Sequence, residues 1–115
     1  AAALCKMADR GQIKGGLLDG PLAFDNAVSL VAAKTKGIKS VVAGNADILV
    51  VPDLESGNMV AKQLEYLANA LMAGVVLGAR VPIVLTSRAD TAETRAASCA
   101  VVQLMVHKKR EMLKA

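Results

Sequence analysis

The run Ile48-Leu49-Val50-Val51, closed by Pro52, constrains this chain more than any other stretch. A continuous apolar run without polar alternation suits a strand buried on both faces, which belongs in a sheet with helices covering both sides. Proline cannot donate to a ladder and ends the run. Around it, helical and strand-like spacings alternate. Ala2 to Arg10 reads as a helix stopped by Gly11, and Ile13 to Asp19 holds the pair Leu17-Leu18 as a short strand before the break at Gly20-Pro21. Asp25 to Lys36 reads as a helix with Val28, Val31 and Ala32 on one face, ending at Gly37. Asn58 to Met72 carries Val60, Leu64, Leu67, Ala68 and Leu71 at helical spacing. Strands follow at Val75 to Leu77 and Val81 to Thr86. A last helix runs from Asp90 to about Arg110 with Ala97, Ala100, Val101, Leu104 and Met105 facing inward. Asp90 and Glu93 give it the spacing of a capping box. This alternation predicts an α/β layered fold with a mostly parallel sheet.

The size of 115 residues fits one domain. Hydrophobic residues make up 54% of the chain, yet it holds one Tyr, one Phe and no Trp, so its core must be aliphatic. So few aromatics argue against a base-stacking nucleic-acid platform. The longest uncharged stretch, Tyr66 to Ala79, has 14 residues and includes Asn69, Gly74 and Gly78. A membrane-spanning helix needs about 20 apolar residues. No signal-peptide pattern opens the chain, and a cytoplasmic location is expected. Cys5 and Cys99 stand alone and read as small buried hydrophobes rather than metal ligands or a disulfide. The net charge of +4 gathers at His107, Lys108, Lys109 and Arg110, with Lys114 beyond. Such a cluster reads as a solvated helix end, where cations complement the dipole, or as a patch meeting an anionic partner.

In open α/β sheets ligands bind beyond the carboxyl ends of strands, where helix N-termini point. Two places qualify. After Val51 come Pro52, Asp53, Leu54, Glu55, Ser56, Gly57 and Asn58. Gly57 permits a tight turn or a close ligand approach, and Asn58 is suited to cap the next helix. Lys62 lies one turn on, over the same face. These residues make either a phosphate-holding site, with Asp53 and Glu55 orienting the lysine or a thiol-bearing substrate, or an ordinary strand-to-helix loop. The second place is Thr86-Ser87-Arg88, just before the capped helix. Arg88 offers a planar fork of donors for phosphate and Ser87 a hydroxyl for a phosphate or carbonyl oxygen. The alternatives are a surface loop for Ser87 and Arg88 and a simple cap for Asp90.

Three segments carry a resemblance. Asp19-Gly20-Pro21-Leu22-Ala23-Phe24-Asp25-Asn26-Ala27, the stretch from Val42 to Asn58 and Thr86-Ser87-Arg88 resemble phosphate acetyl/butyryltransferases. The similarity is greatest to the acyltransferase region of bifunctional enoyl-CoA hydratase/phosphate acetyltransferases, and it covers essentially the whole chain. It implies a fold like that of the isocitrate and isopropylmalate dehydrogenases, of which this chain holds part. Residues 1–57 would belong to one lobe and 58–115 would return to the other. It further implies homodimers and acyl transfer between coenzyme A and inorganic phosphate, with acyl-CoA and phosphate as substrates and no cofactor, metal, nucleic acid or membrane. Ser87 and Arg88 match the family's serine-arginine pair, which lies in the cleft between lobes. By that resemblance Ser87 supplies a donor to the oxyanion and Arg88 binds phosphate; Asp53, Glu55, Gly57, Asn58 and Lys62 are the residues that spacing offers for substrate binding.

Two departures accompany the resemblance. Acetyltransferase members carry an aspartate as the base where this chain has Thr94, which leaves Asp90 as the substitute. Family members are also much longer and draw further basic groups from segments outside this one. The isolated chain is therefore expected to be inactive. A truncated, non-catalytic oligomerisation module of the same fold is the alternative reading.

Overall fold

A computed structural model describes residues 1–112. The chain forms two compact units, Ala1–Val51 and Pro52–Ala115. Lys114, counted in the basic cluster above, lies outside the described residues.

In the first unit, α1 (Ala2–Asp9) ends at Arg10, and Gly11 follows in the left-handed region, φ 73°, as its position after the helix demands. The predicted strand around Leu17-Leu18 is irregular backbone, with Leu17 exposed. The single helix expected over Asp25 to Lys36 is two: α2 (Phe24–Val28) and α3 (Leu30–Thr35). Ser29 divides them. Its backbone is extended, and its hydroxyl accepts from the Ala32 N–H at 3.3 Å, so it caps α3 instead of continuing α2. The break also changes the inward face. Val28 and Val31 are exposed, while Asn26, Ala27 and Ala33 are buried and Ala32 half-buried.

Small side chains let the following loop press onto this corner. The Ser40 hydroxyl accepts from the Val42 and Ala43 N–H groups, both at 3.0 Å, and turns the chain inward. Ala43 is then buried, Gly44 donates to the Asn26 carbonyl at 2.7 Å, and Ala46 donates to the Ala27 carbonyl at 3.1 Å. Gly44 has φ 84°, and a Cβ there would collide with the Leu30 backbone. The run Ile48 to Val51 is not a strand. Ile48 is 81% and Val50 78% exposed. A strand forms only where neighbours exchange hydrogen bonds with it, and no described residue pairs with this segment.

The second unit opens with α4 (Leu54–Ala68), which closes at Asn69 in the left-handed region. It starts earlier than Asn58 because Asp53 is its cap, and it stops short of Met72 at the left-handed turn. The strands β1 (Val75–Val76) and β2 (Ile83–Val84) are shorter than predicted and pair antiparallel, Val75 opposite Val84 and Val76 opposite Ile83. They form the one sheet among the described residues, so the mostly parallel sheet is not assembled within them. The last helix, α5 (Ala92–Met112), packs on both strands.

Polar contacts join α5 to the sheet. Ser98, fully buried, accepts from the Gly74 N–H at 3.0 Å and donates to the Thr94 carbonyl at 2.7 Å. Gly74 in turn accepts from the Leu85 N–H at 2.9 Å, and a Cβ on Gly74 would strike the Leu85 carbonyl oxygen. The inward stripe of α5 is therefore Thr94 and Ser98, with Ala97, Val102 and Val106 half-buried. Of the stripe predicted from sequence, Ala97 is half-buried but Ala100, Val101, Leu104 and Met105 are exposed. Cys5 is half-buried, with its thiol toward the Gly20 carbonyl, whereas Cys99 is exposed and both are free thiols. At the helix end, Glu111 accepts from Lys108 and faces His107.

Replacing Ser98 by Ala should leave the Gly74 N–H without its partner and cost about 1–3 kcal/mol. Gly74→Ala should cost about 1–3 kcal/mol by overpacking. Thermal unfolding of the two variants beside the unaltered protein checks both, each expected to melt at a lower temperature.

Candidate active site

Shortly after β2 the chain makes a turn, Ser87 to Asp90, that its own residues close. Asp90 donates its N–H to the Ser87 carbonyl at 3.2 Å, and the Ser87 N–H donates to Asp90 Oδ2 at 2.6 Å. The Ser87 hydroxyl accepts from the Ala89 N–H at 3.3 Å. Arg95 reaches back from α5 to the Arg88 carbonyl at 3.5 Å. The Arg88 side chain projects from this turn, exposed, and its guanidinium makes no hydrogen bond or ion pair among the described residues. A fixed backbone thus presents a hydroxyl and an uncommitted planar cation side by side.

Asp90 is not the cap of α5. Thr91 takes that place, its hydroxyl accepting from the Thr94 N–H at 3.1 Å. The reason is that the Asp90 carboxylate is already engaged: Oδ2 with Ser87, and Oδ1 facing Lys62 Nζ at 3.7 Å. Thr94 is 5% exposed, and its hydroxyl accepts from Thr91 at 3.2 Å.

The stretch 52–62 is arranged differently from the sequence expectation. Asp53 accepts from the Ser56 N–H at 2.7 Å and caps α4, with Glu55 in the first turn. Gly57 and Asn58 lie inside the helix, so Gly57 supplies no turn and Asn58 no cap. Two carboxylates at the helix start occupy the region where an anion would otherwise be favoured. The Ser56 backbone N–H, foremost, holds the Asp53 carboxyl below the usual aspartate range. Lys62 is half-buried and donates to Glu65 at 2.6 Å, with its ammonium 5.6 Å from the Tyr66 ring centre. That hydrogen bond raises the Lys62 ammonium above the ordinary lysine range, opposed by partial desolvation and assisted by the charges of Glu65 and Asp90.

The two places separated in sequence therefore meet through one contact, Lys62 to Asp90. Asp53, Glu55, Gly57 and Asn58 are not brought into that contact. Glu65 was missed from sequence, although the Lys62–Glu65 spacing is that of an ordinary helical pair. The Lys62–Asp90 pairing left no local signal. Among the described residues, no three His, Cys, Asp or Glu side chains gather to hold a metal ion, and no helix is long and apolar enough to cross a membrane.

The family model for phosphate acetyl/butaryl transferase matches residues 1–102. The chain belongs to that family. Among its relatives, a phosphate acetyltransferase of Rhizobium meliloti is 68% identical over 110 residues, which are 96% of this chain and 35% of that protein. A phosphate acetyltransferase of Rickettsia prowazekii (strain Madrid E) is 66% identical over 113 residues, covering 98% of this chain and 32% of its own. A phosphate butyryltransferase of Clostridium beijerinckii is 46% identical over 110 residues, 96% of this chain and 36% of the relative. The chain thus spans about a third of the length of these family members. The crystal structure of a branched-chain phosphotransacylase from Enterococcus faecalis V583 superposes with a TM-score of 0.76 at 35% identity, over 92% of this chain and 40% of that one. This supports an α/β fold for the family member described here.

The cap of α4 gives a pH test. Because the folded Asp53 carboxyl lies below its ordinary value, its stabilisation is complete above about pH 4 and is lost as pH falls through the folded value. Amide exchange at Ser56, taken relative to the unstructured chain at the same pH, should quicken as pH falls through the folded Asp53 value in the unaltered protein. In Asp53→Ala it should already be fast at neutral pH, with the cap's contribution to the acid response gone.

Proposed function

We propose that this chain contributes the Ser87–Arg88 part of an active site that moves an acetyl or butyryl group between coenzyme A and inorganic phosphate. The observation that carries the reading is the turn itself. Its backbone is held at three points, and it offers a hydroxyl beside a guanidinium that has no competing carboxylate. The names of relatives covering nearly all of the chain support the same chemistry.

In the forward direction a phosphate oxygen attacks the thioester carbon of acyl-CoA. Negative charge develops on the carbonyl oxygen, the carbon–sulfur bond breaks, and acyl phosphate and CoA leave, with the thiolate taking up a proton. A positioned hydroxyl donor is suited to the developing oxyanion, and Ser87 has that place. Arg88, with its two-pronged donor geometry, holds the phosphate. Acyl-CoA and phosphate are thus substrates, and the reaction needs no cofactor.

We assign the mostly parallel, layered sheet and the two lobes, 1–57 and 58–115, to the assembled fold, in which Ile48 to Val51 would gain strand neighbours. A homodimer in the cytoplasm completes the reading. The alternative, a non-catalytic oligomerisation module of the same fold, rests on apolar exposure: Leu54 is 83% and Leu67 82% exposed on α4. Surfaces of this kind commonly mark interfaces.

In the complete gene product, Arg88→Lys keeps the charge and loses the fork. Losing one charge-assisted hydrogen bond corresponds to about 10- to 150-fold in phosphate-dependent kcat/KM. Steady-state kinetics with phosphate and CoA varied separately should show that loss with stability retained. Unaltered phosphate kinetics in both Arg88→Lys and Arg88→Ala would contradict the assignment, and a well-folded wild type without turnover would favour the oligomerisation module.

A further inference from the structure

We infer that Asp90 is a positioning residue for Ser87 and Arg88, held in place by Lys62, and that it does not serve as the proton acceptor. This deepens the acyl-transfer reading and rests on it. The resemblance left Asp90 as the substitute base for the missing aspartate at Thr94, so the two roles make opposite predictions.

The geometry separates them. A general base must come within hydrogen-bonding reach of the proton it takes, with a lone pair open toward it. The Asp90 side chain is only 9% exposed, and each oxygen has a partner: Ser87 N–H on Oδ2 at 2.6 Å, and Lys62 Nζ beyond Oδ1 at 3.7 Å. Protonating the carboxylate would weaken both contacts at the moment the turn is needed. The same residue also donates its own N–H to the Ser87 carbonyl at 3.2 Å. Asp90 therefore grips Ser87 at both its N–H and its carbonyl, and fixes the direction in which Ser87 and Arg88 leave the turn.

Lys62 fits the supporting role better than that of a phosphate ligand. Its ammonium is a compact charge with three donors, and it lies between two carboxylates, Glu65 at 2.6 Å and Asp90 at 3.7 Å. Two carboxylates beside a lysine repel a third anion. Glu65 is itself mostly buried, its side chain 16% exposed, so it fixes the Lys62 ammonium in position beside Asp90. Arg95 supports the other side of the turn through the Arg88 carbonyl. The charged groups facing Asp90 are thus Lys62 from α4, with Glu65 behind it, and the nearby Arg88 and Arg95 of its own segment.

Two variants at one position test this in the complete gene product. Asp90→Asn retains an amide oxygen for the Ser87 N–H, so kcat/KM should fall by less than about tenfold and the acidic limb of the pH–rate profile should stay in place. Asp90→Ala removes the acceptor and should cost about 10- to 150-fold. A general base would give equal losses of about 10²- to 10⁴-fold in both variants, with the acidic limb abolished, and that result overturns the proposal. A second readout does not depend on turnover. The Ser87 amide proton should resonate downfield, and shift in Asp90→Asn and in Lys62→Gln. A Ser87 amide indifferent to Asp90→Asn and to Lys62→Gln overturns the positioning role even where the acyl-transfer reading stands. Absent turnover in the wild type, with that amide behaving as expected, would sink the acyl-transfer reading alone.

Discussion

The carboxylate of Asp90 is the constraint on which the second unit's candidate site depends. One oxygen meets an ammonium from the middle of α4, and the other holds the backbone of the turn after β2. Without that link, the helix carrying Lys62 and the turn carrying Ser87 and Arg88 would share no hydrogen bond or ion pair among the described residues. The turn is already closed by backbone hydrogen bonding, so the carboxylate adds orientation rather than mere closure. Its low exposure matters too, because a shielded charge pair is screened by salt much less than a surface one. The polar line from Thr91 through Thr94 and Ser98 to Gly74 then fixes the start of α5 against the strands that deliver the turn.

Apolar side chains are distributed in the opposite sense. More than half of the chain is hydrophobic, yet among the described residues the buried apolar side chains are three alanines, Ala27, Ala33 and Ala43. Tight local packing here comes from small residues and close backbone approach, as at Gly44 and Gly74. The large aliphatic groups, Ile48, Val50, Leu54 and Leu67 among them, lie at the surface. That pattern accords with a chain spanning about a third of its relatives' length.

Features with local determinants are legible in the sequence. Gly11 and Gly37 end helices with positive φ, Val75 and Ile83-Val84 lie in strands, and the turn at Ser87 falls beyond a strand and before a helix. Features that a distant partner decides are not. The run Ile48 to Val51 has the composition of a buried strand, but composition cannot supply the neighbours that a ladder requires. At Ser29, a hydroxyl able to cap split a helix that apolar spacing alone would have continued. Asn58 and Asp90 were both plausible caps, and in each case another residue took the N–H group: Asp53 because it lies at the true start of α4, and Thr91 because Asp90 was drawn to Ser87 and Lys62. The Ser87–Arg88 pair was visible both from its place at a strand's end and from the family pattern, whereas its support by Lys62 required three-dimensional contact.

The role of Ser87 and Arg88 is tested most directly by a crystal structure of the complete gene product with phosphate and a non-hydrolysable acyl-CoA analogue bound. Phosphate oxygens should lie within hydrogen-bonding distance of the Arg88 guanidinium and the analogue's carbonyl oxygen should face the Ser87 hydroxyl, with the Ser87 N–H still on Asp90. Phosphate and the acyl group bound together elsewhere, with Arg88 and Ser87 facing bulk water, would contradict that role.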